Sequence, residues 1–191
     1  MQSKERYFIL PNQSIDEIPT DIQNLYICEL KHYDYGNSIF IRNSFQQLKS
    51  ITICNYCFQN VRKFVIDGLE SLESVKIGDS CFRILWRERD DGICRITNCP
   101  NLTQLEIGNS SFGDFKSFEL SNLNSIQSIK VDDFSFEYAD CWLKGEWKYR
   151  NRMECDLNEI ENDVLDLPSL EIVTFGHESF KNCHLAVFES I

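Results

Sequence analysis

Apolar and polar positions alternate in short runs down this chain, and the runs are of two kinds. The first is Val75-Lys76-Ile77, matched by Ile51-Thr52-Ile53, Leu105-Glu106-Ile107, Ile129-Lys130-Val131 and Val173-Thr174-Phe175. Apolar, polar, apolar is the two-residue period of a strand with one buried face. The second kind falls midway between copies of the first: Phe64-Val65-Ile66, Cys94-Arg95-Ile96, Phe118-Glu119-Leu120 and a degenerate Phe40-Ile41-Arg42. Leu69, Cys99 and Leu123 follow the second run by three residues, where they would plug the core, and Phe45 stands in the same place earlier.

These runs belong to one repeated phrase that ends in Phe. Phe58 to Phe82 and Phe112 to Phe136 are each 24 residues, Phe82 to Phe112 is 30, and Phe136 to Phe180 is 44. Self-similarity at a fixed period means one supersecondary unit stacked on copies of itself. The expectation is a mainly β repeat solenoid with two short strands per coil of roughly 24 residues. Extra residues near 84–92 and 137–161 must then leave the stack. Within the second, Met153, Leu157, Ile160 and Val164 are spaced to put one apolar stripe on a helix. Gly78, Gly108 and Gly176 follow the first strand, with Cys28 and Cys54 at the same place in earlier copies. A recurring glycine there signals unusual backbone angles or close approach by the next coil. The terminal Phe residues are expected to stack ring on ring along the axis.

The phrase Leu102-x-x-Leu105-x-Ile107, followed by a small residue and Phe112, resembles a leucine-rich repeat. Phe58, Val61, Phe64 and Ile66, then Phe112, Phe115, Phe118 and Leu120, then Phe180, Cys183, Ala186 and Phe188, are similar to the BspA-like class. The resemblance covers about residues 37–191 and implies interaction, adhesion or recognition rather than a substrate. Glycine stands where that class commonly has proline after the strand. Residues 1–33 read as an irregular N-terminal cap or imperfect repeat, with Leu25-Tyr26-Ile27 as a first strand. Residues 34–191 read as the solenoid. The sequence stops after a second strand, so an open C-terminal end that self-associates, or a segment of a longer array, is expected.

The 191 residues include 30 acidic and 19 basic ones, a formal charge of -11. That disfavours a general nucleic-acid binder and adsorption to anionic membranes. No run approaches the roughly 18 apolar residues of a membrane span, and Tyr7 to Leu10 is short for a signal core, so an intracellular setting is expected. The nine cysteines fall mostly on core positions of the repeat: Cys57 and Cys81 align with Ser111, Ser135 and Ser179. Cys54-x-x-Cys57 could serve as a redox or zinc half-site, but no second pair follows at zinc spacing, so metal and cofactor are expected to be absent. His32, His177 and His184 form no recognised nucleophile motif, and no phosphate loop or metalloprotease motif occurs.

Binding is therefore the expected function. Trp86, Arg87 and Arg89 in the first insertion, and Trp142, Trp147 and Tyr149 in the second, are residue types favoured at interface hot spots. The bland alternative is a solvated loop whose Trp tucks back on the stack for the first, and a helix docked on the solenoid for the second. Two ladders of outward strand residues are also expected. One is Thr52, Lys76, Glu106, Lys130 and Thr174; the other is Ile41, Val65, Arg95, Glu119 and Val187. The second is partly apolar and is the better contact surface for a protein partner. The competing expectation is a spacer without a ligand of its own.

Overall fold

The fold is that of a computed structural model, and it describes residues 7–9, 15–28, 38–83, 92–137, 140–145, 153–154, 169–181 and 186–190. It is mainly β, with one short 3-10 turn at Ile15–Glu17 among these residues. Eight strands form sheet A: β1 (Tyr7–Ile9), β2 (Asn24–Ile27), β4 (Ser50–Ile53), β6 (Ser74–Ile77), β8 (Gln104–Ile107), β10 (Ser128–Val131), β12 (Met153–Glu154) and β13 (Ile172–Phe175). Six form sheet B: β3 (Ser38–Ile41), β5 (Lys63–Asp67), β7 (Ile93–Thr97), β9 (Ser117–Ser121), β11 (Asp140–Gly145) and β14 (Ala186–Ser190). From β2 to β11 the chain alternates between the sheets. The spatial orders are β1-β2-β4-β6-β8-β10-β13-β12 and β14-β11-β9-β7-β5-β3, and the pairings are parallel.

Pairing is in the register of the sequence repeat. Ile51 lies opposite Val75, Val75 opposite Leu105, Leu105 opposite Ile129 and Ile129 opposite Val173. The inward members of β2 to β10 and of β13, two from each strand, enter one core cluster drawn from both sheets. The plugs Phe45, Leu69, Cys99 and Leu123 are buried in it. The extra residues between Phe82 and Phe112 do not disturb this order, since β7 still pairs with β5 and β9.

The helix expected from Met153 onward is not seen. Met153 and Glu154 are a strand at the edge of sheet A, with Met153 opposite Val173. Ahead of it, Cys141-Trp142-Leu143 repeats the alternation of Phe118-Glu119-Leu120, and β11 pairs with β9 on that template. A strand that continues a ladder satisfies its backbone groups there, which overrides a helical stripe. Leu157, Ile160 and Val164 lie outside the described residues.

The turn after each of β4, β6, β8, β10 and β13 is tightly wound. Tyr56 and Phe58, Ser80 and Phe82, Ser110 and Phe112, Phe134 and Phe136, and Glu178 and Phe180 have φ between 53° and 64°. Left-handed angles cost a side-chain-bearing residue roughly 1–2 kcal/mol each. Stacking between successive turns offsets this. The Phe112 ring lies parallel to Phe82 at 4.5 Å and to Phe136 at 4.7 Å, with interplanar angles of 8° and 3°. Phe136 stacks on Phe180 at 5.3 Å and Phe58 on Phe82 at 5.0 Å. The left-handed amides are also used: Phe112 N–H donates to the Cys81 carbonyl (3.0 Å) and Ser110 N–H to the Asp133 carbonyl (2.9 Å).

Gly78, Gly108 and Gly176 owe their place to close approach, since none has positive φ. A Cβ on Gly108 would lie 2.7 Å from the Gly78 carbonyl carbon, and one on Gly176 would lie 2.7 Å from that of Asp132. Gly68 is different. Its φ is +70°, and a Cβ there would collide with the Asn43 amide.

Candidate partner-binding face

The outward face of sheet B is set by strand register. Phe40 pairs with Val65, Val65 with Arg95, Arg95 with Glu119, Glu119 with Trp142 and Trp142 with Val187. The column holds Val65, Arg95 and Glu119, and its first member is Phe40 and not Ile41; Val187 is placed by backbone register alone. Ile41 is fully buried and pairs with Ile66, whereas Phe40 is 39% exposed. Ile39 and Ile41 flank Phe40 in plain alternation, and a slip of one residue exchanges the faces. Val65 points out of the core cluster yet is only 8% exposed, so it offers little surface. Trp142 holds its place by backbone register. Trp86, Arg87, Arg89, Trp147 and Tyr149 lie outside the described residues.

Arg95 Nε donates to Glu119 Oε2 at 2.7 Å. The Arg42 guanidinium sits 4.3 Å from the centroid of the Phe40 ring. Asp67 accepts from Thr97 Oγ1 and Asn98 Nδ2, each at 2.8 Å. These hydrogen bonds, the one from Asn98 first, hold the Asp67 carboxyl below its ordinary range, and Arg42 and Arg95 add to the effect. The Asn98 Oδ1 in turn accepts from Asn122 Nδ2 at 2.7 Å. Arg42, Lys63 and Lys116 stand exposed around this frame.

Sheet A presents the other expected ladder, and it is polar. Lys76 Nζ lies 2.7 Å from Glu106 Oε2, and Lys130 Nζ 2.8 Å from Asp132 Oδ1. The hydrogen bond to Asp132 raises the affinity of Lys130 for its proton. Beside this face runs a column unread in the sequence: Asn55, Asp79, Asn109, Asp133 and His177. Asn55 Oδ1 accepts from Asp79 N–H, Asp79 Oδ1 from Asn109 N–H and Asp133 Oδ1 from His177 N–H, at 2.9, 2.9 and 2.7 Å. Its signal was an amide or carboxylate directly after Cys54, Gly78 and Gly108, with Asp133 after Asp132 and His177 after Gly176 at the same place in the later copies. It ties turns together and presents Tyr56 and Phe134 as exposed aromatics on the same edge.

The cysteines divide by accessibility. Cys28 and Cys54, partly exposed directly after the paired strands β2 and β4, form a disulfide with a Cα–Cα distance of 4.8 Å. Cys54 is therefore not joined to Cys57, its partner in the C-x-x-C spacing. A structural disulfide is typical of oxidising compartments. Cys57, Cys81, Cys94 and Cys99 are buried free thiols. Cys81 Sγ donates to the Cys54 carbonyl at 3.1 Å. Ser111 Oγ and Ser135 Oγ do the same to Gly78 and Gly108, each at 2.8 Å. Thiol and hydroxyl thus share one task, satisfying a strand-end carbonyl. Contact with the Cys57 thiol, then burial, pushes the Cys81 thiol well up; burial alone does so for Cys94, and burial first takes Cys99 to about 11. Thiols held protonated are poor nucleophiles.

Among the described residues no group of three or more His, Cys, Asp or Glu side chains is arranged to hold a metal ion, and no helix is long and apolar enough to cross a membrane. Comparison with protein-family models, with curated proteins and with solved structures returned no match.

Proposed function

We propose that this chain is a non-enzymatic solenoid of leucine-rich-repeat type that binds another protein through the outward face of sheet B. The observation that carries the reading is the column Phe40, Val65, Arg95, Glu119. It presents an exposed aromatic and a charged pair on a rigid parallel sheet. Aromatic and arginine side chains on a fixed frame are the residue types that dominate protein interfaces. The thiols support no catalytic reading, being buried and held protonated. Trp86, Arg87, Arg89, Trp147 and Tyr149 remain part of the proposed contact set, and Trp142 joins it through its register with Glu119.

The test is affinity capture from native lysate with the wild type, a Phe40→Ala/Arg95→Ala variant and a Lys76→Ala/Lys130→Ala variant of the opposite face. A partner kept by the wild type and the sheet A variant and lost by the sheet B variant supports the reading. Equal retention by all three refutes it. A spacer role is the second reading, favoured by the mutual pairing of outward charges in Arg95–Glu119 and Lys76–Glu106.

A further inference from the structure

One column of this molecule changes its chemistry along the stack. It is the position directly after β2, β4, β6, β8, β10 and β13: Cys28, Cys54, Gly78, Gly108, Asp132 and Gly176. The backbone contact there recurs from step to step. Cys54 N–H donates to the Ile27 carbonyl, Gly78 N–H to that of Ile53, Gly108 N–H to that of Ile77 and Gly176 N–H to that of Val131, at 2.8, 2.8, 2.8 and 2.7 Å. Successive turns come so close that a Cβ on Gly78 would lie 2.7 Å from the Asn55 nitrogen and 3.0 Å from the Cys54 carbonyl carbon. Gly78, Gly108 and Gly176 meet that approach by leaving out the side chain. The first two members meet it with a covalent bond, Cys28 to Cys54, across a Cα–Cα distance of 4.8 Å.

The bond fastens the first coil, β2 and β3, to the second, β4 and β5. Among the described residues the stack of Phe rings begins only in the second coil, at Phe58. β3 is also the edge strand of sheet B, paired in that sheet with β5 alone, and it carries the exposed Phe40. Cys28 and Cys54 are partly exposed, so a dissolved thiol reaches them, whereas Cys57, Cys81, Cys94 and Cys99 are buried.

From this we infer that the Cys28–Cys54 disulfide is a redox-sensitive joint, which fixes the first coil and its Phe40 on the second and releases them when a small thiol reduces it. The inference rests on the proposed role of Phe40 in protein binding and adds the regulation of that face. A thiolate of the reductant attacks one sulfur of the pair; the bond between the cysteines breaks, and the other sulfur leaves as a thiolate that takes a proton from water. A second reductant thiolate attacks the mixed disulfide, frees the remaining cysteine to be protonated in turn, and forms the reductant's own disulfide. The cysteine pair gains two electrons and two protons, and the two reductant thiols supply the electrons. Two separate thiols then stand in a column where Gly78 and Gly108 have no side chain, so the turns at Cys28 and Cys54 must part. The cross-link that spanned 26 residues of sequence is lost with them.

The experiment uses the full chain, oxidised and then treated with dithiothreitol at neutral pH, beside a Cys28→Ser/Cys54→Ser variant. Alkylation and peptide mass mapping establish that Cys28 and Cys54 are converted while the buried thiols stay unlabelled. Hydrogen exchange is read in residues 24–27 and 38–41, with 74–77 and 104–107 as the reference. Reduction should speed exchange in the first two stretches about tenfold or more and leave the reference stretches unchanged. The serine variant should exchange at the reduced rate with and without dithiothreitol. Affinity for a partner captured through sheet B should fall about fivefold or more on reduction. Unchanged exchange in 24–27 and 38–41, equal acceleration in the reference stretches, a serine variant whose first coil still responds to dithiothreitol, or an affinity untouched by reduction would each overturn the inference. In the last case the scaffold reading stands and this inference alone fails. If no partner is captured through sheet B, the scaffold reading fails, and the exchange rates alone decide whether the joint exists.

Discussion

Truncating Phe112 to Ala probes the stacking that holds the turns together. The ring is fully buried, parallel to Phe82 and Phe136 at 4.5 and 4.7 Å, and edge-on to Phe115 at 4.9 Å. A buried Phe→Ala change costs about 3–5 kcal/mol through lost burial and a residual cavity. Three close ring contacts, worth about 0.5–1.5 kcal/mol each beyond area, place this site at the top of that range. The left-handed φ of 57° is a cost shared by Phe and Ala, so it cancels in the comparison. Phe112→Leu keeps most of the apolar volume and loses the ring contacts, so it should cost about 1.5–3 kcal/mol. Equilibrium unfolding in urea, followed by circular dichroism, reads both. With a slope of about 2 kcal/mol/M, the alanine variant should unfold about 2 M earlier and the leucine variant about 1 M earlier. A loss below about 1 kcal/mol for Phe112→Ala, or a leucine variant as stable as wild type, would refute the stacking account.

Other outcomes follow from single contacts. Ser135→Ala strands the buried Gly108 carbonyl and the Ser111 N–H that Ser135 Oγ accepts, and should cost about 2–4 kcal/mol in the same assay, whereas Cys81→Ser should be near neutral because serine performs that task in the next two coils. Gly108→Ala should cost about 1–3 kcal/mol because its Cβ meets backbone of the preceding coil, while Gly113→Ala, with open space around it, should stay within about 0.5 kcal/mol of wild type. Asp67 has a folded pKa below its ordinary 3.8, so its contribution to stability is fully present above about pH 4 and is lost as pH falls through the folded value; Asp67→Asn should flatten the acid limb of a stability-against-pH curve. An aromatic disulfide reagent such as Ellman's should leave Cys57, Cys81, Cys94 and Cys99 unlabelled in the native chain at neutral pH, and unfolding should release them.

How far the sequence reveals this molecule depends on whether a feature is repeated. Five copies of the phrase made the strand positions, the Phe stack and the thiol-for-serine exchange readable, because each copy tests the others. Cys57 and Cys81 could be placed in the core by alignment with Ser111 and Ser135 alone. Where a copy is degenerate, the reading slipped. Ile39-Phe40-Ile41 is apolar at all three positions, so residue type does not choose the frame, and only pairing with Val65 shows that Phe40 faces out. The stripe from Met153 fitted a helix because local periodicity carries no information about the β13 edge that Met153 joins. The Cys28–Cys54 bond joins the ends of adjacent strands across 26 residues of sequence, and the local C-x-x-C spacing drew attention to Cys57 instead.

The central claim is that sheet B, and not sheet A, is the contact surface. Hydrogen-exchange mass spectrometry of the chain alone and bound to its captured partner tests it most directly. The account predicts slowed exchange in residues 38–42, 62–67, 92–97 and 116–121 on binding, with residues 50–53, 74–77, 104–107 and 128–131 unchanged. Protection confined to the sheet A strands, or to the turn edge of Tyr56 and Phe134, would contradict it.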